Sequence, residues 1–206
     1  MQIAVVTATS LEAGAARAAL GPNVRVVEAG IALSRIRRFS GSVISCGLAG
    51  GLREDLETGA VLIPRSVRRP DGSVLQCDSA LTDALVSAAR ALQIDPVEDP
   101  IATSATMVHG AQGRRSLAGQ GYAGVDMETG IIEADAVACV RVVLDTPRRE
   151  IDGAWNDPRT VVFHPRAWLD LPFLAREGPR CAALAAQIIA RAAADGLNLA
   201  GKRAAH

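Results

Sequence analysis

The run Val137 to Leu144 (VACVRVVL) carries no alternation of polar and apolar side chains, and Arg141 is its only charge. A segment of this kind, rich in β-branched residues, forms a strand covered on both faces, which demands a sheet lying between other layers. The run therefore predicts a long buried strand ending at Asp145. A chain of 206 residues is long enough to enclose such a sheet within one domain. Apolar residues make up 49% of the chain and aromatics only 3%, so the core must be built from Ala, Val, Leu and Ile. That composition suits helices packed closely on a sheet.

Other segments supply the remaining elements. Ile3 to Val6 reads as a strand, and Ser10 as the N-cap of a helix over Leu11 to Leu20. Val24 to Val27 and Val43 to Ser45 read as strands, the second entering a glycine-rich turn, Cys46 to Gly51. Ala60 to Ile63 and Val67 continue with β-type residues, and Asp71-Gly72 marks a hairpin turn returning through Val74 and Leu75. Leu81, Leu85, Ala88, Ala89 and Leu92 recur at helical spacing and predict a helix over Ser79 to Leu92. Val97 to Ala102 is expected as a strand and Ala111 to Leu117 as a short helix. Tyr122 to Val125 is expected as a strand leading into Asp126-Met127-Glu128. The segment 145–180 is rich in proline, holds both tryptophans and reads as an irregular, loop-rich insertion, with a last helix over Pro179 to Ala194. Strands alternating with helices predict an α/β fold, a single domain over 1–206 whose central sheet is mixed, largely parallel and twisted, flanked by helices.

Twenty-two basic and 22 acidic residues cancel, so no global field favours nucleic acid or an anionic membrane. A small ligand fits better. The N-terminal residues lack the pattern of a signal peptide or a spanning helix, which leads to an expectation of a cytoplasmic protein. Cys46, Cys77, Cys139 and Cys181 are scattered and read as free thiols. His109, His164 and His206 are isolated too, so neither a metal nor another cofactor is expected.

Three acidic residues follow directly on predicted strands: Glu12, Glu128 and Asp145. Ligands of parallel α/β sheets bind beyond the carboxyl ends of the strands, so these three could share one cleft. Each also has a purely structural explanation. A carboxylate in the first turn of a helix is favoured by the helix dipole, which covers Glu12 and Glu128, and Asp145 before Thr146-Pro147 could simply form a turn.

Taken in order, IAVVTATSLE (Ile3 to Glu12), VISCGLAGGLREDLETGAVLI (Val43 to Ile63), VDME (Val125 to Glu128) and VRVVLD (Val140 to Asp145) resemble the successive blocks of the nucleoside phosphorylase and nucleosidase superfamily. Within that superfamily, of purine and uridine phosphorylase type, they are most similar to 5′-methylthioadenosine/S-adenosylhomocysteine nucleosidases. The wording Gly47-Leu48-Ala49-Gly50-Gly51-Leu52 and the proline- and arginine-containing tail also resemble the hopanoid-associated nucleosidases, which act on adenosylhopane.

The resemblance implies a phosphorylase/hydrolase-like fold, no cofactor, and hydrolysis of the bond between adenine and the ribose of a 5′-substituted adenosine. It implies Asp145 as the acid donating to N7 of the purine, which requires a carboxyl kept protonated by poor solvation. Glu12 is implied as the base acting on water, with Arg141 helping to place it. Glu128 is implied as acceptor for the two ribose hydroxyls and Met127 as packing on the sugar. Met107 and Val108 would lie against the base, near the backbone of Ala49 and Gly50. Partners implied are a small nucleoside and a second copy of the chain as a homodimer. Phe163, Trp168, Leu169, Leu171, Phe173 and Leu174, interspersed with Arg159, Arg166, Arg176 and Arg180, fit contact with a large hydrophobic 5′ substituent or a membrane surface, and equally a loop capping the core or a dimer contact.

The sequence also departs from the nucleosidase pattern. Leu48 stands where those enzymes have a serine, Leu144 replaces a serine before the aspartate, and Arg148 replaces an acidic residue. The stretch between Glu128 and Arg141 is shorter by about two helical turns. Two alternatives stay open on the residues alone: a phosphate-dependent purine nucleoside phosphorylase, and a nucleoside-binding protein without turnover. A dinucleotide-binding domain is disfavoured because the first strand-helix turn lacks G-x-G-x-x-G.

Overall fold

The computed structural model describes residues 3–156 and 164–199. Its strands are β1 (Ile3–Thr7), β2 (Arg25–Glu28), β3 (Ser42–Gly51), β4 (Val61–Leu62), β5 (Ser66–Arg68), β6 (Val74–Gln76), β7 (Ile101–Thr103), β8 (Gly124–Asp126) and β9 (Ala136–Asp145). Four α-helices join them: α1 (Ser10–Leu20), α2 (Ser79–Ala91), α3 (Ala111–Ala118) and α4 (Leu171–Ala194). As its apolar run requires, β9 is buried from Val137 to Val143 and lies between β3, to which it is parallel, and the short antiparallel β4. The sheet runs β2-β1-β3-β8-β7-β5-β6, with β9 on β3. Pairings β1-β2, β1-β3, β3-β9, β5-β7 and β7-β8 are parallel; β3-β8, β4-β9 and β5-β6 are antiparallel. The sheet is mixed and largely parallel, as expected.

Helices α1, α2 and α4 pack together over one face of β1, β3 and β9, where Val5, Ile44 and Val140 meet Leu85, Ala185 and Ile189. Small alanines let these helices approach closely. A second cluster, including Leu62, Ile101, Cys139 and Val143, fills the space between β9 and the β4-β5-β7 side of the sheet. All four cysteines are free thiols; Cys46, Cys139 and Cys181 are buried, and burial pushes the Cys46 thiol up to about 12.

Four local expectations change. The segment Cys46 to Gly51 is strand, not turn, because β3 pairs with β9 residue by residue as far as Ala49 and, after a one-residue slip, at Gly50. Helix α1 is capped by Thr9 rather than Ser10: Thr9 Oγ1 accepts from the Glu12 N–H while Glu12 Oε2 accepts from the Thr9 N–H. Strand β7 begins only at Ile101. Val97 makes an isolated bridge to Leu62, and Pro100 between them has no N–H to offer a ladder. Finally, the irregular stretch stops at Asp170, because α4 starts at Leu171, with Pro172 in its first turn and Pro179 inside it. Burial of Gly178, Cys181 and Ala182 outweighs the hydrogen bond that Pro179 forgoes.

Arg149 ties the segment after β9 to the start of α4, pairing with Asp170 at 3.0 Å and lying 4.7 Å over the Phe173 ring. Phe163 and Arg159 lie outside the described residues. Among the described residues no helix is long and apolar enough to cross a membrane.

Candidate active site

The ends of β1, β3, β8 and β9 converge on a cavity of about 220 Å³. Glu12, Glu128 and Asp145 all line it, as do Met127, Met107, Val108, Ala49 and Gly50. Arg141 is not among the lining residues. It is 1% exposed and sits behind the wall, a departure from the expected placement beside the water site. The reason is a buried partner: Asp126, at the end of β8, accepts from Arg141 Nε at 2.9 Å. Arg141 Nη2 also donates to Ser45 Oγ at 2.8 Å and Thr129 Oγ1 at 2.9 Å, and lies 3.6 Å from Glu128 Oε2.

Glu12 reaches the cavity from the first turn of α1. Its Oε2 accepts from the N–H groups of Ala8 (3.1 Å) and Thr9 (2.9 Å), and its Oε1 accepts from Leu48 N–H at 2.9 Å. The glutamate that completes the capping box of Thr9 is thus also a carboxylate on the cavity wall. Gly47 makes this possible: a Cβ there would lie 2.4 Å from both Glu12 Oε1 and Arg141 Nη1. The segment that reads as a turn is strand, and at Gly47 two charged groups face each other across it.

Glu128 accepts from the Ala32 N–H at 3.2 Å and the Met127 N–H at 3.3 Å. Ala32 and Leu33 both hold a left-handed backbone, with φ of 51° and 50°. Burial pushes the Glu128 carboxyl up to about 7; Asp126 and Glu12 push the same way, and Arg141 and the Ala32 N–H oppose. Three carboxylates, Glu12, Asp126 and Glu128, thus surround a single buried guanidinium.

Asp145 sits at the tip of β9, where the pairing slips: Ala49 faces Val143, but Gly50 faces Asp145. The slipped residue, Leu144, lines the cavity beside it. Burial raises the Asp145 carboxyl above the usual carboxylate range, while an ion pair with Arg114 of α3 opposes the rise. Arg114 had no local signal. Its neighbours, AQGRRSLA, read as a polar helix, and only the tertiary structure shows which arginine turns inward. Asp126, the first residue of the Asp126-Met127-Glu128 triplet and the last of β8, carries the same strand-end signal that marks Glu128.

A second cleft of about 400 Å³ adjoins the first through their shared wall residue Ile151. His109, Arg149, Arg166 and Leu169 line it. Trp168, Leu169 and Leu171 stand exposed nearby in sequence, at 48%, 78% and 47%.

Comparison with known proteins adds an independent line of evidence. Residues 2–190 match the family model described as Phosphorylase superfamily. No curated protein sequence matches the chain. Among solved structures, S-adenosylhomocysteine nucleosidase from Streptococcus pyogenes superposes with a TM-score of 0.72 at 14% identity, covering 96% of this chain and 98% of that one. The 5′-methylthioadenosine/S-adenosylhomocysteine nucleosidase from Neisseria meningitidis, in complex with methylthio-immucillin-A, gives 0.69 at 19% identity, with 94% and 99% covered. Futalosine hydrolase from Helicobacter pylori strain 26695 gives 0.69 at 14%, with 95% and 98% covered. At these identities the likeness is one of fold.

Proposed function

This chain belongs to the phosphorylase superfamily, and we propose that within it the protein is an N-ribosyl hydrolase releasing adenine from a 5′-substituted adenosine. One observation carries hydrolysis over phosphorolysis. The backbone N–H groups of Ala8, Thr9 and Leu48, the donors that a phosphate would need at this end of the cavity, are already taken by the Glu12 carboxylate. Asp126 lies on the same wall and adds further negative charge, joined by Glu128 as it ionises. An incoming phosphate dianion meets repulsion there, whereas a water molecule meets a base.

In the proposed reaction Asp145 gives a proton to N7 of the base as the bond from N9 to the anomeric carbon breaks. Glu12 takes a proton from the water that bonds to that carbon. Adenine and a free 5′-substituted ribose leave, and proton exchange with solvent restores both carboxyls. The negative wall favours the positive charge that builds on the ribose as the bond opens. Glu128 accepts from the ribose hydroxyls, with Met127 against the sugar. Met107, Val108, Ala49 and Gly50 flank the base. Arg141 acts from behind the wall, holding Asp126 and facing Glu12 across Gly47. Neighbours of the same fold include a nucleosidase in complex with methylthio-immucillin-A, which supports a nucleoside ligand here.

A large apolar 5′ substituent, as in adenosylhopane, is the finer reading. Ile31 and Ile151 on the cavity wall, and exposed Leu169 on the edge of the adjoining cleft, support it. A cytoplasmic homodimer of single-domain subunits, touching a membrane at the Trp168 to Leu171 patch, belongs to the same proposal. Adenine release from adenosylhopane and from methylthioadenosine, compared as kcat/KM, tests the substrate: preference for adenosylhopane is expected, and clear preference for the small thioether defeats it.

A further inference from the structure

The ion pair on the proposed acid is the feature that the reaction above leaves unused. Arg114 is buried at 2% side-chain exposure, and its guanidinium faces three partners. Nη2 donates to Asp145 Oδ2 and Nη1 donates to the Gly51 carbonyl at 2.7 Å. Nε lies 3.2 Å from Glu150 Oε1, without a hydrogen bond of its own. Glu150 in turn accepts from the Gly110 N–H, at the start of α3, through Oε2 at 3.1 Å. Oδ1 of Asp145 lies toward Gly50 on the cavity wall; a Cβ on that glycine would sit 3.2 Å from it.

We propose that Arg114 is a positioning residue for base protonation: by holding Oδ2 of Asp145 it leaves Oδ1 as the oxygen that delivers the proton into the cavity, and Glu150 weakens that hold. The inference rests on the reading of Asp145 as the acid. A planar guanidinium anchored by a backbone carbonyl fixes the orientation of a carboxylate in a way that a flexible point charge does not. Arg114 also belongs to the helix that follows Met107 and Val108, so the wall assigned to the base and the carboxyl assigned to its protonation are tied together.

The charged groups around Asp145 fix the direction of each effect. Arg114 faces it from α3, and Glu150 faces Arg114 from the segment after β9. Glu12 and Glu128 stand on other parts of the same cavity wall. Arg148 and Arg149, close in sequence, are paired with Glu54 and Asp170. An acid must be protonated to act, so the rate falls as pH rises through its pKa in the enzyme-substrate complex. Taking away the positive charge of Arg114 raises that pKa, and taking away the negative charge of Glu150 lowers it.

The test is the pH profile of kcat for adenine release by the full chain carrying Arg114→Gln, Arg114→Lys or Glu150→Gln, with Asp145→Asn as control. Arg114→Gln is expected to lower kcat about tenfold or more, with KM nearly unchanged, and to move the alkaline limb up by about 1 to 3 pH units. Arg114→Lys should restore the limb but only part of kcat. Glu150→Gln, a partly exposed site that tolerates the change, should move the limb to lower pH. Unmoved limbs in both Glu150→Gln and a folded Arg114→Gln overturn the inference. A limb that stays put in Glu150→Gln does so even if the Arg114 variants do not fold. If Asp145→Asn releases adenine as fast as the unmodified protein, the reading of Asp145 as the acid fails instead.

Discussion

Glu128 shows how one residue can be shaped by a whole site. Alone it is an ordinary glutamate on a strand end. Buried beside Asp126 and Glu12, it holds its proton up to about pH 7. A pair of ribose hydroxyls donating to it favours the ionised form, so ligand binding must lower its pKa and expel a proton. Calorimetry of a nucleoside analogue at pH 7, in buffers of different ionisation enthalpy, should therefore show net proton release of a fraction of one equivalent, lost in Glu128→Gln. Affinity should rise with pH through that range. Net proton uptake, or the same release from the variant, speaks against Glu128 as the diol acceptor. Its place after a strand was legible in the sequence, and so were Glu12 and Asp145, because acidic groups at strand ends stand out locally. The partners were not. Arg141 reads as a lone charge in an apolar run, yet its burial is compensated by Asp126, and Arg114 meets Asp145 from a different element altogether.

At the level of elements, the junction of β1 with α1 does double service. The Thr9 side chain accepts from Glu12 N–H and donates to Glu12 Oε2 at 2.9 Å, so the cap and the proposed base are one hydrogen-bonded unit. Thr9→Ala should cost about 1 kcal/mol in urea unfolding and also lower kcat, since the carboxylate loses a partner. Thr9→Ser, which keeps the hydroxyl, should recover most of both. A stability loss with no change in rate separates the cap from the chemistry and removes Glu12 from its assigned role. Where the sequence misled, long-range contacts were responsible. Glycines between Cys46 and Gly51 signal a turn when read locally, but a partner strand of equal length keeps them extended. Pro179 resembles a helix start until the burial of Gly178 and Cys181 carries α4 through it.

For the whole molecule, the buried strand β9 organises both stability and site. Its apolar middle lies beneath α4 while its tip presents Asp145, and its neighbour β3 brings Gly47 to Gly50 alongside. The layer order and the convergence of strand ends follow from that single run, which is why the architecture was readable from the sequence. The substrate was less so, because the cavity wall mixes residues of several distant segments, from Ala8 to Ile151. The central claim is cleavage of the purine-ribose bond by water. Its most direct test is the product analysis of a 5′-substituted adenosine incubated with the protein in water enriched in oxygen-18, with and without phosphate. Adenine and a ribose labelled at the anomeric oxygen, formed at a rate independent of phosphate, are the predicted outcome. Ribose 1-phosphate formed only when phosphate is present, or no adenine from any such nucleoside, would contradict it.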